Sequence, residues 1–85
     1  MNVRYHKDFI RQYKKYRTLQ SRVHERIILF MANPSHPMLG NHALTGKYQG
    51  YRSINITGDY RAVYELLDKN TALFTDLDTH SNLYK

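Results

Sequence analysis

Five histidines are spread along a chain that contains no cysteine, so any acid–base or ligating chemistry falls to His, Asp, Glu, Arg and Tyr. His6, His24, His36, His42 and His80 form no pair at the spacing of a helical or finger-type zinc site. The nearest approach is Asp76-x-Asp78-x-His80, which on a regular strand would send three potential ligands to one side. A strand end with exposed polar residues accounts for that run equally well, and no metal is expected. No Gly-rich phosphate loop, serine nucleophile elbow or dinucleotide fingerprint is present, and Gly46, Gly50 and Gly58 read as turn or strand-approach glycines. No cofactor is expected. What remains is histidine with arginine around one stretch of chain: His42 before it, Arg52 and Arg61 within it, His80 just after it. RNA carries its own nucleophile, the 2′-hydroxyl. Cleaving it needs a base for that proton, a cation for the charged phosphate and an acid for the leaving 5′-oxygen, roles that histidine and arginine suit.

These residues must be positioned by elements that the hydrophobic pattern specifies. Val3 and Tyr5 alternate with polar neighbours, which predicts a short strand over residues 2–5. Phe9, Tyr13 and Tyr16 recur at helical spacing, which predicts a helix from His6 to about Arg17. Leu19, Val23, Ile27, Phe30 and Met31 keep the same period in a second helix, capped by Thr18 or Ser21 and stopped by Asn33-Pro34. Residues 33–46 hold both prolines and no sustained period, and read as a surface loop. Residues 48–57 alternate, with Ile54 and Ile56 on one face and Tyr51, Ser53, Asn55 and Thr57 on the other. Turns at Gly58-Asp59 and Asp68-Lys69-Asn70 then separate strands over 60–67 and 71–77. The expected fold is α+β: a short N-terminal strand and a two-helix hairpin packed on an antiparallel sheet. The helices cover one face and leave the other, with Ser53 and Asn55, open to a ligand.

Eighty-five residues and 10.2 kDa suit one domain, residues 1–85, and 41% hydrophobic with 13% aromatic content is too rich in core formers for a disordered tail. The net charge of +6 is unevenly spread: residues 1–52 carry ten basic and two acidic side chains, residues 53–85 three and five. The basic first half fits either a solvated helix face or a surface for nucleic acid or an acidic protein. A charged N-terminal stretch and the absence of a long apolar run point to a cytoplasmic protein with no membrane segment.

Four strings then stand in a telling order: His42-Ala-Leu-Thr-Gly46, Gly50-Tyr-Arg-Ser-Ile-Asn-Ile56, Gly58-Asp-Tyr-Arg-Ala-Val-Tyr64 and Thr79-His-Ser-Asn-Leu-Tyr84. Together, after a basic two-helix segment, they resemble the RelE/ParE superfamily of bacterial toxins from type II toxin–antitoxin modules, and within it the YafQ-like branch of ribosome-dependent mRNA interferases. The resemblance covers nearly the whole chain and implies a RelE-like microbial ribonuclease-type fold. It implies that His42 and His80 are an acid/base pair, that Arg61 stabilises phosphate, and that Tyr84 stacks on an mRNA base. Asp59 falls on an acidic position of the family, where it orients a histidine or acts as base, although a turn-former there is equally natural. Tyr84 also has an alternative, packing onto the sheet edge. Ser53 and Asn55 depart from the branch's best-known member, which has an acidic residue and a further histidine at those positions; Lys47 and Arg52 are then expected to supply compensating positive charge on RNA.

The implied activity is metal-independent cleavage of translated mRNA in the ribosomal A site, inhibiting translation and growth. The implied partners are a cognate antitoxin, the ribosome with its mRNA, and operator DNA only through the antitoxin complex. Two other readings share the fold: a ParE-like toxin that binds DNA gyrase and cleaves nothing, and a catalytically weakened toxin kept as a corepressor. The histidine motifs favour the nuclease, since a pure binder has no use for them.

Overall fold

The chain leaves its first strand through a histidine cap. In the computed structural model, which describes residues 1–84, β1 (Asn2–Tyr5) ends at His6, whose Nδ1 accepts the Asp8 N–H at 3.0 Å and so caps α1 (Lys7–Lys15). His6 therefore stands ahead of the helix and not within it. Asp8 in the first turn and Lys14 and Lys15 in the last are matched to the helix dipole. A 3-10 turn over Arg17–Leu19 passes directly into α2 (Gln20–Ala32), so the expected Thr18 or Ser21 cap is replaced by Leu19, with no side-chain cap bond. Continuity with the 3-10 turn occupies backbone groups that a free helix end would expose.

The loop after α2 is more ordered than its composition suggests. It holds a 3-10 turn at Pro37–Leu39, a two-residue strand β2 (His42–Ala43) and a further 3-10 turn at Gly46–Tyr48. Then come β3 (Arg52–Asn55), β4 (Tyr60–Asp68), β5 (Thr71–Thr79) and the single-turn helix α3 (His80–Leu83). The sheet order is β1-β5-β4-β3-β2. The meander β3–β4–β5 is antiparallel as expected, but β1 lies parallel to β5, Asn2 opposite Thr71 and Tyr5 opposite Phe74, so the sheet is mixed. The helical crossover between β1 and the meander supplies the long connection that a parallel pair needs.

One face of this sheet carries the main core. Phe9 from α1 and Val23, Ile27 and Phe30 from α2 pack on Ile54, Ile56, Ala62, Tyr64, Ala72, Phe74 and Leu77. Phe74 is its centre, with ring contacts to Phe9, Phe30 and Tyr64 at 5.7, 5.3 and 5.1 Å; truncating it to alanine would cost about 3–5 kcal/mol. Ala72, Phe74 and Leu77 can all face this core only because a register shift near Thr75 inserts one residue into β5, so Tyr64 pairs with Phe74 but Val63 with Asp76. Beyond that bulge the alternation is reset: Leu77 points inward, while Asp76 and Asp78 stand opposite Val63 and Arg61. A smaller cluster of Leu44, Val63 and Leu83, flanked by Tyr48 and Tyr51, lies on the second face and seats α3 there.

Candidate functional site: a cation held by neutral partners

The second face is where the chemistry gathers. His42 on β2 pairs with Ser53 on β3, Ser53 with Val63, and Asn55 with Arg61 on β4, which puts His42, Ser53, Asn55 and Arg61 on one side of the sheet. Arg61 is fixed along its whole fork. Its Nε–H donates to Ser53 Oγ at 2.8 Å, Nη1 donates to Asn55 Oδ1, and Nη2 lies 3.2 Å from the Gly40 carbonyl and 3.1 Å from His42 Nδ1. Every one of these partners is neutral or, for His42, neutral when it accepts. Asp78 is directly opposite Arg61 in register, yet no ion pair joins them among the described residues. The Asp78 carboxylate is instead occupied by the Tyr16 hydroxyl at 2.9 Å, the Thr79 N–H at 2.8 Å and the Asn82 amide at 3.0 Å. Burial pushes the guanidinium below its ordinary value, opposed by the Tyr84 phenol beside it. Arg61 thus presents a rigid, partly desolvated positive charge with no ion-pair partner among the described residues.

This arrangement corrects one expectation. Ser53 is not open to a ligand; it is fully buried beneath Arg61. Ser53 and Asn55 are acceptors that aim the arginine without neutralising it. Their effect is to hold several rotatable bonds in one geometry before any ligand arrives.

Gly40 is the other side of the clamp. Its φ of 51° lies in the left-handed region, and a Cβ there would run into the Asn55 amide. The turn lets its carbonyl receive both Arg61 Nη2 and, at 2.9 Å, His42 Nδ1. His42 Nδ1 can donate to Gly40 or accept from Arg61 but cannot do both, so the tautomer decides which role its other nitrogen, Nε2, plays.

His80 opens α3. Its N–H donates to the Asp59 carbonyl at 2.9 Å and Thr79 Oγ1 caps the turn by accepting from the Asn82 N–H at 3.1 Å. The ring packs on Tyr84 at 4.5 Å. His42, Ala43, Leu44, Thr45, His80 and Tyr84 line one shallow cleft of about 190 Å³. His42, His80, Arg61 and Tyr84 are therefore brought together. Tyr84 stays 37% exposed, which leaves ring surface for a ligand.

The remaining sequence candidates divide. Asp59 contributes its backbone carbonyl to α3, while its carboxylate has no hydrogen-bond or ion-pair partner among the described residues. Arg52 is on the opposite side of the sheet from Arg61: it pairs with Tyr64, a main-core residue, and its Nε donates to Asn41 Oδ1 at 3.0 Å. The residue parity of a strand separates it from the site by a single position. Lys47 is on the site face, its ammonium 5.3 Å from the Tyr48 ring centre. Sequence reasoning missed Gly40, whose positive φ gives no signal beyond its residue type, and the pair Tyr48 and Tyr51. The Asp76-x-Asp78-x-His80 run does not converge, because the strand ends at Thr79 and His80 opens α3; among the described residues no three His, Asp or Glu side chains form a metal-binding group.

Comparison with known proteins extends this picture. The model of the family described as "Bacterial toxin of type II toxin-antitoxin system, YafQ" matches residues 1–85. Among solved structures, a copper-bound L66S mutant toxin from Helicobacter pylori is similar, with 26% identity over 98% of each chain and a TM-score of 0.77. YafQ from E. coli shares the fold at 18% identity, covering 99% of this chain and 98% of that one, with a TM-score of 0.74. The E. coli DinJ-YafQ complex matches at 19% identity, 99% and 98% coverage and a TM-score of 0.71. Among curated proteins no sequence matches.

Proposed function

The chain belongs to the YafQ family of bacterial toxins of type II toxin–antitoxin systems, and from that premise we propose that it is a metal-independent endoribonuclease that cleaves translated mRNA in the ribosomal A site. The observation that carries this reading is Arg61, a preorganised cation held by neutral partners and in contact with His42, which shares a cleft with His80. An RNA phosphodiester supplies the missing counter-charge, and in its transition state the phosphoryl oxygens carry more negative charge than in the ground state. A donor fixed in advance stabilises that increment at little reorganisation cost.

The chemistry follows from the groups present. One histidine takes the proton of the 2′-hydroxyl as that oxygen attacks the adjacent phosphorus; the other gives a proton to the departing 5′-oxygen. The 2′-O–P bond forms and the P–O5′ bond breaks, leaving a 2′,3′-cyclic phosphate and a 5′-hydroxyl. Tyr84 stacks on a base beside the scissile bond and fixes its orientation. Asp59 holds α3, and with it His80, through its carbonyl. The basic helices α1 and α2 supply affinity for ribosomal RNA, and Lys47 adds a phosphate contact on the site face. Arg52, on the other side of the sheet, acts at most at the rim.

A type II module pairs such a toxin with an antitoxin, and the relative from E. coli was solved with DinJ bound. The cognate antitoxin of this chain covers the site, and operator DNA is contacted through that complex. The site of action is the cytoplasm; no helix among the described residues is long and apolar enough to cross a membrane.

Arg61→Ala tests the reading. Induced growth arrest and mRNA cleavage should be lost while antitoxin binding persists. Cleavage at the wild-type rate would remove Arg61 from the chemistry.

A further inference from the structure

His80 and Tyr84 are the near end of a longer row of rings. Tyr84 meets Tyr48 edge-on at 6.4 Å and Tyr48 meets Tyr51 edge-on at 6.1 Å, continuing the His80–Tyr84 contact away from the catalytic cleft. Tyr48 and Tyr51 are half-buried, with their inner parts packed on the small cluster of Leu44, Val63 and Leu83. Their outer parts line an open cleft of about 390 Å³ whose walls include Lys47, Glu65 and Asp76. Over the Tyr48 ring sits the exposed Lys47, its ammonium 5.3 Å from the centroid, so a cation already marks the ring as a cation–π acceptor.

Resting on the reading that RNA lies between His42 and His80, we propose that Tyr48 and Tyr51 form a second nucleobase subsite, taking the base next along the strand from the one stacked by Tyr84. An incoming base displaces the Lys47 ammonium from the ring face, and that ammonium then pairs with the phosphate joining the two nucleotides. Stacking is indifferent to base identity, but the wall is not. The carboxylates of Asp76 and Glu65 accept hydrogen bonds from the exocyclic amino group of cytosine, adenine or guanine, whereas uracil has no amino group and offers only an N3–H flanked by two carbonyl oxygens that repel a carboxylate. The subsite therefore favours amino-bearing bases. The Tyr48 hydroxyl is raised above its ordinary value, first by burial and then by Asp76, which keeps the ring neutral beside that carboxylate.

The probe is a short single-stranded ribo-oligonucleotide carrying 2′-O-methyl groups, which binds without being cut, offered as a cytosine-adenine and as an all-uracil sequence. NMR titration should shift the ring resonances of Tyr48 and Tyr51 together with those of Tyr84, and the cytosine-adenine oligomer should bind more tightly. Tyr48→Leu should weaken binding about tenfold or more, and Tyr48→Phe should restore it. Lys47→Glu, an exposed change that leaves the small cluster intact, should also weaken binding. Cleavage maps on translated mRNA should lose their preference for amino-bearing bases in Asp76→Asn. Unshifted Tyr48 and Tyr51 rings at saturation, or equal affinity for both oligomers, would overturn the subsite. Absence of any cleavage by the wild type, with the ring shifts intact, would overturn the nuclease reading and leave the subsite standing as an RNA contact.

Discussion

Asn55→Asp separates stability from activity, because it changes the charge around Arg61 and little else. The substitution keeps the shape of the side chain and places a carboxylate oxygen where the amide oxygen now accepts from Arg61 Nη1. A charge-assisted hydrogen bond is roughly twice as strong as a neutral one. After solvent screening of this half-exposed pair the folded state should gain about 1 kcal/mol, which raises Tm by about 4–8 °C in a domain of this size. The same carboxylate competes with the scissile phosphate for the arginine. Unit charges about 4 Å apart interact by about 4 kcal/mol at an effective dielectric near 20. Losing half of that, about 2 kcal/mol, from the transition state slows cleavage about 30-fold. The assays are thermal unfolding of the purified toxin and primer extension on a reporter mRNA in a translating extract. Asn55→Ala is the control: it should slow cleavage with no gain in Tm. A stabilised Asn55→Asp that cleaves at the wild-type rate would refute the argument that the uncompensated charge of Arg61 is what the site uses.

Other consequences follow from the same contacts. Tyr16→Phe removes the hydroxyl that holds Asp78 and through it α3, and should cost about 1–2 kcal/mol in chemical unfolding and lower cleavage through a mispositioned His80. Burial and then Asp78 push the Tyr16 hydroxyl up to about 12 from 10.0, so its contribution is complete below pH 10 and disappears as pH rises through 12. Burial alone would raise the Asp78 carboxyl, but its bonds to Asn82, Thr79 and Tyr16 outweigh burial and lower it from 3.8; that contribution is present above the unfolded value and is lost as pH falls through the folded one. Unfolding scans at both pH extremes, wild type beside Tyr16→Phe, should show a smaller alkaline loss in Tyr16→Phe, where the raised Tyr5 and Tyr48 hydroxyls remain. Gly40→Ala combines a strained backbone with a clash on Asn55 and should cost about 1–2 kcal/mol and disturb the Arg61 clamp, read as lower Tm and slower cleavage together. A transition-metal chelator, at magnesium levels that keep ribosomes intact, should leave cleavage unchanged.

Much of this architecture is legible in the sequence because each element obeys one period. The 3.6-residue spacing of Phe9, Tyr13 and Tyr16 and the alternation at Ile54 and Ile56 each specify a buried face without help from the rest of the chain. The parts that escape are those where a long-range contact overrides the local pattern. The parallel pairing of β1 with β5 depends on where the helices return the chain, and the inserted residue at Thr75 shows only as the odd interval between Phe74 and Leu77. The same logic divides the site. His42, His80 and Tyr84, distant in the string, share one cleft, and Arg61 contacts His42 beside it. Arg52 looks equivalent to Arg61 in a string, but strand parity sends it to the other face. Ser53 looks like an exposed polar residue and is buried, because Arg61 lies over it and satisfies its hydroxyl.

The central claim is that His42 and His80 act as an acid/base pair on mRNA in the translating ribosome. Inducing the wild type beside a His42→Ala, His80→Ala double variant, and reading growth together with primer extension on an abundant translated mRNA, tests it directly. The account predicts cuts at in-frame codon positions with the wild type and none with the double variant, which folds and still binds antitoxin. Growth arrest with intact mRNA, unchanged in the double variant, would contradict it and point to a toxin that acts by binding alone.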